Sequence, residues 1–505
     1  MTTYKPDARY PIQTHSFVSR KTKPVVLAIG GSDSAGLAGI QMDSRSCHAM
    51  GVHCATAITA VTAQNNQSLI AINPVDSDIL EQQIDAALAL KPQAIKIGLL
   101  ASVSQVQMLI RKLPLLSLPV VFDPVIKTSS DAELLNGELI AFIKSQLIPL
   151  CTVVTPNLPE AEQLLDHPPS AQALKSLGSQ WAIITGGHSQ DQQATEECCG
   201  PNHQFCLSHS KLDSRHLRGS GCAFAATLAA TLALGYEVRD GLVITKMALQ
   251  QGIEQASGVN DQKGCVDVSQ FPHSHWPVFS DQAALTNANA SALQFPPCTG
   301  NGEPDTLGLY PIVDSADWLA RLLPQGITTA QLRVKHLEGQ ALADEIERAV
   351  AIGKQYNCRL FINDYWQLAI EKGAYGVHLG QEDLEVADLA AIHQAGLRLG
   401  LSNHCHFEVV RALAVKPSYI ACGPTFATTT KDMPWVPHGL EGLRYWVNAL
   451  PDYPLVSIAG INDHNIQDIA ATGVSGIAMI TAITLDDNPE QKTSELMALI
   501  NEARL

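Results

Sequence analysis

An alternation that runs through the chain twice constrains its fold more than any other feature. From Pro24 onward, short β-rich runs at 25–30, 55–63, 94–100, 120–124, 152–156 and 181–185 take turns with longer helical patterns, the first near Ile40 to Met50. Strands separated by crossover helices build a mostly parallel sheet with helices on both faces. The rhythm ends near Val268. Residues 269–305, rich in Pro, Asn, Ser and Gly and without sustained periodicity, read as a linker with room for one short helix. The alternation then restarts with candidate strands at 308–314, 327–335, 358–364, 376–380, 397–402, 419–424, 455–460 and 476–481. Eight β/α repeats in about 200 residues fit a compact (β/α)8 barrel, in which functional residues gather at the C-terminal ends of the strands. The expected organisation is an N-terminal extension over 1–23, an α/β domain over 24–268, a linker over 269–305 and a barrel over 306–505.

Composition excludes several classes of function. Apolar residues at 46% and charged residues at 16% suit compact domains, and a net charge of −16 makes the average surface repel nucleic acid and anionic lipid. The 12 cysteines are scattered, with no C-x-x-C and a single adjacent pair, Cys198–Cys199, which is neither a zinc layout nor a disulfide framework. A reducing cytoplasm is the simplest compartment. The first 23 residues hold Lys5, Arg9, Arg20, Lys21 and Lys23 without an apolar segment, so no secretory signal is readable. The longest uncharged run, Gly219 to Tyr236, is built from Gly, Ala, Thr and Ser with few large apolar side chains and reads as a buried helix. Small molecules are the expected partners, and a homo-oligomer is compatible with everything above.

In the first half, IGGSDSAGLAGIQMD (29–43) sets a glycine-rich turn between a strand and a helix, where backbone N–H groups can meet an anion. A second such turn, Arg218-Gly219-Ser220-Gly221-Cys222, opens the apolar helix beginning at Ala223. Free N–H groups there suit charge developing on a transferring phosphoryl group, and Cys222 stands at the lip, where a helix N-terminus lowers a thiol pKa. Asp123, Asn157 and Glu160 lie at or just past strand ends, and their oxygens suit Mg²⁺ on a nucleotide.

In the second half, Gln331, Arg333 and Lys335 alternate with Leu332 and Val334, so an amide and two cations share one strand face. Asp364 and Asp383 follow neighbouring strands; two carboxylates beside Arg and Lys suit Mg²⁺ holding a diphosphate. Asn363 and Ser402 also end strands, and the loop 423–431 brings Thr428, Thr429, Thr430 and Lys431, hydroxyls and a cation fit for phosphate.

These motifs carry two resemblances. GSDSAGLAGIQ, TAVTAQN, IKIGLL, DPV, TPNLPEAEQLL and GSGC, in that order across about 24–270, resemble the hydroxymethylpyrimidine/phosphomethylpyrimidine kinases of the ribokinase-like superfamily. The resemblance implies ATP as phosphoryl donor, Gln64 and Ala38 facing the pyrimidine, Thr185, Gly187, Gly219, Ser220 and Gly221 at the nucleotide phosphates, and Cys222 as proton acceptor. The chain departs from that pattern at Thr185 (usually Lys), Leu37 and Asp131 (usually Gly) and Arg218 (usually His). LYPIVD, QLRVK, FINDYWQLAI, YGVHLGQEDL, GLS, PSYIACGPTFATTTK, AGI and MITAI are similar to thiamine phosphate synthases, which have a TIM barrel. In that family's terms Gln331 to Lys335, Asn363 and Lys431 hold the pyrimidine diphosphate, with Arg333 and Lys431 catalytic. Asp364 and Asp383 hold Mg²⁺, and Ser402 reaches the pyrimidine side. Thr428 to Thr430, Gly460, Ile480 and Thr481 receive the thiazole phosphate. Ala427, Ala459 and Thr481 stand for the usual Pro, Gly and Ser.

The two implied reactions are consecutive, so the expected protein is a bifunctional thiamine-biosynthesis transferase. Three readings stay beside it: a pyridoxal-type kinase in the first half, a degenerate precursor-binding module there, and a thiazole tautomerase in the second.

Overall fold

A computed structural model describes residues 22–66, 68–126, 137–165, 167–188, 191–281, 293–300, 306–428 and 435–504. Asp131, Thr429, Thr430 and Lys431, and most of the expected N-terminal extension, lie outside these residues. The chain divides into two compact units, the first spanning Arg20–Thr286 and the second taking in Asn287–Leu505.

Among the described residues the first unit has twelve strands: β1 (Val25–Asp33), β2 (His53–Gln64), β3 (Leu69–Pro74), β4 (Ala94–Ile97), β5 (Val120–Phe122), β6 (Val153–Val154), β7 (Trp181–Ile184), β8 (Gln193–Gly200), β9 (His203–Ser210), β10 (Ser257–Val259), β11 (Gln262–Cys265) and β12 (Val278–Asp281). All but β10 and β11 form one sheet in the order β12-β9-β8-β7-β6-β5-β4-β1-β2-β3. From β7 to β2 every pairing is parallel, and the pairings at both edges are antiparallel. The central strands are short apolar runs because both faces are covered. Val25, Leu27 and Ile29 pack with Leu80, Ile84 and Leu109 in one core cluster, and the intervening Val26 and Ala28 are buried as well.

The second unit closes into a barrel of β13 (Gly308–Val313), β14 (Thr329–Leu332), β15 (Arg359–Asn363), β16 (Gly376–Leu379), β17 (Arg398–Asn403), β18 (Tyr419–Cys422), β19 (Leu455–Ile458) and β20 (Gly476–Met479), with β20 pairing back onto β13. Ala330 and Leu332 join the layer under the helices, while Tyr310, Phe361, Tyr419 and Val456 fill the interior. Most of the expected strands ran beyond the observed ends. The 327–335 run is a regular strand only over Thr329–Leu332, with Arg333 N still donating to Val313 O at 2.7 Å beyond it.

The stretch read as a linker contributes to both units. Its residues 278–281 add an antiparallel edge strand to β9. Its residues 293–300 pack onto the barrel, where Phe295 is 3% and Cys298 0% exposed. The buried Arg359 donates from Nη1 to Cys298 O at 2.8 Å and from Nη2 to Thr306 O at 2.8 Å. Two isolated anchors in a polar stretch leave no periodicity to read.

Candidate active sites

In the first unit the site residues lie at the C-terminal ends of β1, β4, β5, β6 and β7 and at three helix N-termini. Helix α1 (Gly39–Ala49) follows the first glycine turn. Gly39 has φ +57 and a side chain there would collide with Gly31 O, so glycine is required by space as well as by backbone. Asp33 stabilises the turn by accepting from Ala35 N at 2.8 Å and Leu37 N at 3.1 Å. Leu37 is buried and its carbonyl packs against Gly219, which has φ +76.

Gln64, at the end of β2, accepts from Arg218 Nη2 at 2.9 Å through Oε1, and Arg218 Nη1 donates to Asn65 O at 2.6 Å. A guanidinium can only donate, so Arg218 fixes the Gln64 amide with its oxygen toward Arg218. Ala38, the residue before α1, is half-buried nearby in sequence to this turn.

Helix α2 (Leu158–Leu164) begins with a reciprocal cap: Glu160 N donates to Asn157 Oδ1 at 2.9 Å, and Asn157 N donates to Glu160 Oε2 at 2.9 Å. The cap takes up one lone pair on Asn157 Oδ1 and one on Glu160 Oε2, and the oxygens of the expected trio, Asp123, Asn157 and Glu160, keep further lone pairs that fit a hard cation. Burial, with the Asp123 charge beside it, pushes Glu160 up to about 8, and burial pushes Asp123 up to about 6. Thr185 bridges to Asn157 at the end of β7, and Gly187 has open space around its Cα.

Helix α3 (Ser220–Leu234) starts at Ser220, one turn of backbone ahead of the expected Ala223. Its Gly221 lies near Asp123: a Cβ there would sit 3.7 Å from Asp123 Oδ2. The Cys222 thiol does not show the lowered pKa expected of a helix N-terminus. Burial dominates and pushes it up to about 12, against the Lys96 charge that lowers it.

Lys96 and its partner were missed from sequence. Lys96, on β4, is 1% exposed, and its Nζ lies 2.9 Å from Oδ1 of Asp43 on α1, itself 0% exposed. Burial works against the ammonium, but Asp43, with Cys222 and Asp123, holds its pKa above the usual lysine value. The signal was present: a lone Lys inside an apolar parallel strand, AIKI, needs a buried acid. A second buried pair, Lys246 with Glu196, stands behind the Thr185 turn.

In the second unit the rim residues follow β14, β15 and β16 in turn. Gln331 is 3% exposed inside the barrel, Arg333 is half-buried and Lys335 exposed. Lys335 Nζ meets Asp364 Oδ2 at 2.7 Å. Asp364 has φ +66, a left-handed conformation that Asp tolerates better than most residues. Asp383 accepts from Gly380 N at 3.2 Å, and burial, then the Asp364 charge, raises its pKa. Two carboxylates driven together in this way fit a divalent cation. Among the described residues no group of three His, Cys, Asp or Glu could hold one alone, so phosphate oxygens would complete the shell.

Asn363 is buried at the end of β15. Ser402, near the end of β17, is joined to His378 at 2.8 Å. Burial holds His378 down to about 4, so its ring is neutral. After β19, Ala459 (φ +77) and Gly460 (φ +67) turn in the left-handed region, and Phe426 N donates to Ala459 O at 3.1 Å, so this turn supports the loop that reaches Thr428. Ile480 and Thr481 open a short helix past β20. Gln331, Leu332 and Val334 thus keep the expected alternation; Thr429, Thr430 and Lys431 lie outside the described residues. His378, Tyr310 and Tyr419, buried beneath the rim, were not expected from sequence.

Among the described residues no helix is long and apolar enough to cross a membrane. A family model described as Phosphomethylpyrimidine kinase matches residues 33–267, and one described as Thiamine monophosphate synthase matches 309–483. A thiamine-phosphate synthase of Serratia proteamaculans is 55% identical over 197 residues, which is 39% of this chain and 93% of that protein. The crystal structure of a phosphomethylpyrimidine kinase from Clostridium difficile has 29% identity and a TM-score of 0.41, covering 46% of this chain and 100% of its own. A Bacillus subtilis pyridoxal kinase in an ADP complex has 29% identity and a TM-score of 0.45, covering 49% of this chain and 98% of its own. The chain belongs to the thiamine-phosphate synthase family and carries, ahead of that barrel in the same polypeptide, a domain of the phosphomethylpyrimidine kinase family, which makes it a bifunctional transferase of thiamine biosynthesis.

Proposed function

We propose that the first unit transfers a phosphoryl group from ATP to hydroxymethylpyrimidine and then to its monophosphate, and that the barrel couples the resulting diphosphate to thiazole phosphate. In the first unit Gln64 and Ala38 take the pyrimidine, Thr185, Gly187 and the Gly219-Ser220-Gly221 turn take phosphates, and Cys222 accepts the proton of the attacking hydroxyl. Lys96, buried behind Cys222, lowers the cost of forming the thiolate. Mg²⁺ at Asp123 and Glu160, and at Asp364 and Asp383, would supply neutralisation of phosphate charge.

In the barrel, Arg333, Lys335, Asn363 and Lys431 bind the diphosphate and stabilise it as it departs. The electron-rich aminopyrimidine then carries the positive charge on its methylene carbon, which the thiazole nitrogen attacks. Gln331 and Ser402 orient the pyrimidine; Thr428 to Thr430, Gly460, Ile480 and Thr481 orient the thiazole phosphate. The contribution of the protein is leaving-group stabilisation and alignment, with no strong base. Supporting this reading above all is the succession Arg333, Lys335, Asn363, Asp364 and Asp383 on three adjacent strand ends, an excess of charge that an empty barrel mouth has no reason to gather. The twelve cysteines, none of them in a disulfide, support placement in the cytoplasm.

The test is a coupled assay of the whole chain with hydroxymethylpyrimidine, ATP, Mg²⁺ and thiazole phosphate, reading thiamine phosphate. If product forms only when pyrimidine diphosphate is supplied ready-made, the first unit binds a precursor without phosphorylating it; a strong preference for pyridoxine would assign it to the pyridoxal-type kinases. Cys222→Ala should lower the kinase rate about 10²–10⁴-fold and leave the synthase untouched.

A further inference from the structure

Gln331 and Ser402, which the reading above sets at the pyrimidine, are joined beneath the barrel mouth by buried side chains. Gln331 Nε2 donates to the Tyr310 hydroxyl at 3.4 Å. The Tyr310 and Tyr419 hydroxyls are 2.8 Å apart, the Tyr419 hydroxyl lies 2.7 Å from His378 Nδ1, and His378 Nε2 lies 2.8 Å from Ser402 Oγ. Tyr310 is 1% and Tyr419 0% exposed, so the middle of this path is shielded from bulk solvent.

The backbone makes room for it. Gly400 on β17 pairs with His378 on one side and with Tyr419 on the other. A side chain at 400 would run into the Tyr419 ring, so only glycine lets the phenol cross a whole strand to reach the imidazole.

Counting protons gives the chain a direction. An amide nitrogen can only donate, so the Tyr310 oxygen accepts from Gln331 and passes its own hydrogen to Tyr419. Tyr419 then passes its hydrogen to Nδ1. A ring nitrogen that accepts carries no hydrogen, so the imidazole N–H is on Nε2, aimed at Ser402 Oγ. The Ser402 oxygen is thereby an acceptor on its inner side, and its own hydrogen is free to be donated outward. We propose that Tyr310, Tyr419 and His378 are positioning residues that hold the Ser402 hydroxyl as a donor toward an acceptor nitrogen of the substrate pyrimidine. The inference rests on the assignment of Ser402 to the pyrimidine. Each bond in the chain polarises the next, which strengthens the last donor. A donor on a ring nitrogen orients the ring but does nothing for positive charge growing on it, so the effect belongs to binding of the pyrimidine diphosphate rather than to turnover.

Two measurements on the full-length protein test this. In ¹⁵N spectra of histidine-labelled protein, with the His378 signal identified by its loss in His378→Gln, wild type should show the Nε2–H tautomer, and Tyr419→Phe should convert it wholly or partly to Nδ1–H. Tyr419→Phe should raise KM for the pyrimidine diphosphate about 3–10-fold, the worth of one neutral hydrogen bond, leaving kcat and KM for thiazole phosphate within about two-fold; Ser402→Ala should do the same. An Nδ1–H tautomer in wild type overturns the proposal, and this holds even if Tyr419→Phe does not fold. So does a Tyr419→Phe protein with normal KM while Ser402→Ala is impaired. A Ser402→Ala protein with normal KM instead removes the assignment of Ser402 to the pyrimidine, and the proposal with it.

Discussion

Lys96 and Ala459 illustrate two opposite ways in which one residue sets stability. Lys96 neutralises a carboxylate that has no other access to charge compensation, since Asp43 is fully buried. Lys96→Met should therefore cost about 3–5 kcal/mol, the penalty of an uncompensated buried charge; the additional change Asp43→Leu should restore much of it, as read by urea denaturation of the first unit. Ala459 does the reverse, holding φ +77 where its Cβ is unfavourable. Ala459→Gly should raise barrel stability by about 0.5–1 kcal/mol, the strain relieved less the extra chain entropy of glycine, measurable as a small upward shift in its thermal transition. At Asp364 the same backbone region means that Asn is the substitution that changes charge without changing conformational preference.

At the scale of strands and helices, His438 shows how an element boundary acquires a pH response. It precedes the helix Gly439–Ala449, is buried, and has Nε2 at 3.1 Å from Gly423 O. Burial holds its pKa down to about 4. An unfolded chain takes up that proton near the ordinary value of about 6.5, so between about 6.5 and 4 the unfolded state binds more protons. Barrel stability should be full above about 6.5 and fall as pH drops through that window; in His438→Gln the slope of the denaturation midpoint against pH should be shallower, and an unchanged slope would show that His438 is not one of its sources. The parallel strands of both units were legible in sequence because runs such as 25–30 and 476–479 are free of polar side chains and buried on both faces. The antiparallel pair β8 and β9 was not, since stretches such as QATEECCG are mixed in polarity and resemble loop until paired. In the site, charged residues at strand ends stood out because charge there has no structural use. The Lys96 pair and the Tyr310–Tyr419–His378 chain did not, because they join residues from separate strands and helices that only the folded sheet brings together.

Over the whole molecule, each unit extends beyond its apparent sequence limits. A first-unit fragment ending at 268 would lose β12 and expose the edge of β9, whereas one ending at 281 keeps it. A barrel fragment starting at 306 would leave Arg359 without Cys298 O and uncover the core that Phe295 covers. Fragments 22–281 and 293–505 should accordingly fold and keep their separate activities, and the versions cut at 268 and 306 should be less stable by about 1–3 kcal/mol for each lost anchor; equal melting temperatures for long and short versions would show that these anchors contribute nothing. Two units on one polypeptide also fix a ratio that separate genes would leave to expression. Every molecule of kinase arrives with one molecule of synthase, so the standing level of the pyrimidine diphosphate is set by the quotient of two catalytic rates and not by protein abundance. A cell making more of this chain would raise throughput while leaving that level nearly where it was, and only mutations that change one rate against the other could make the reactive intermediate accumulate.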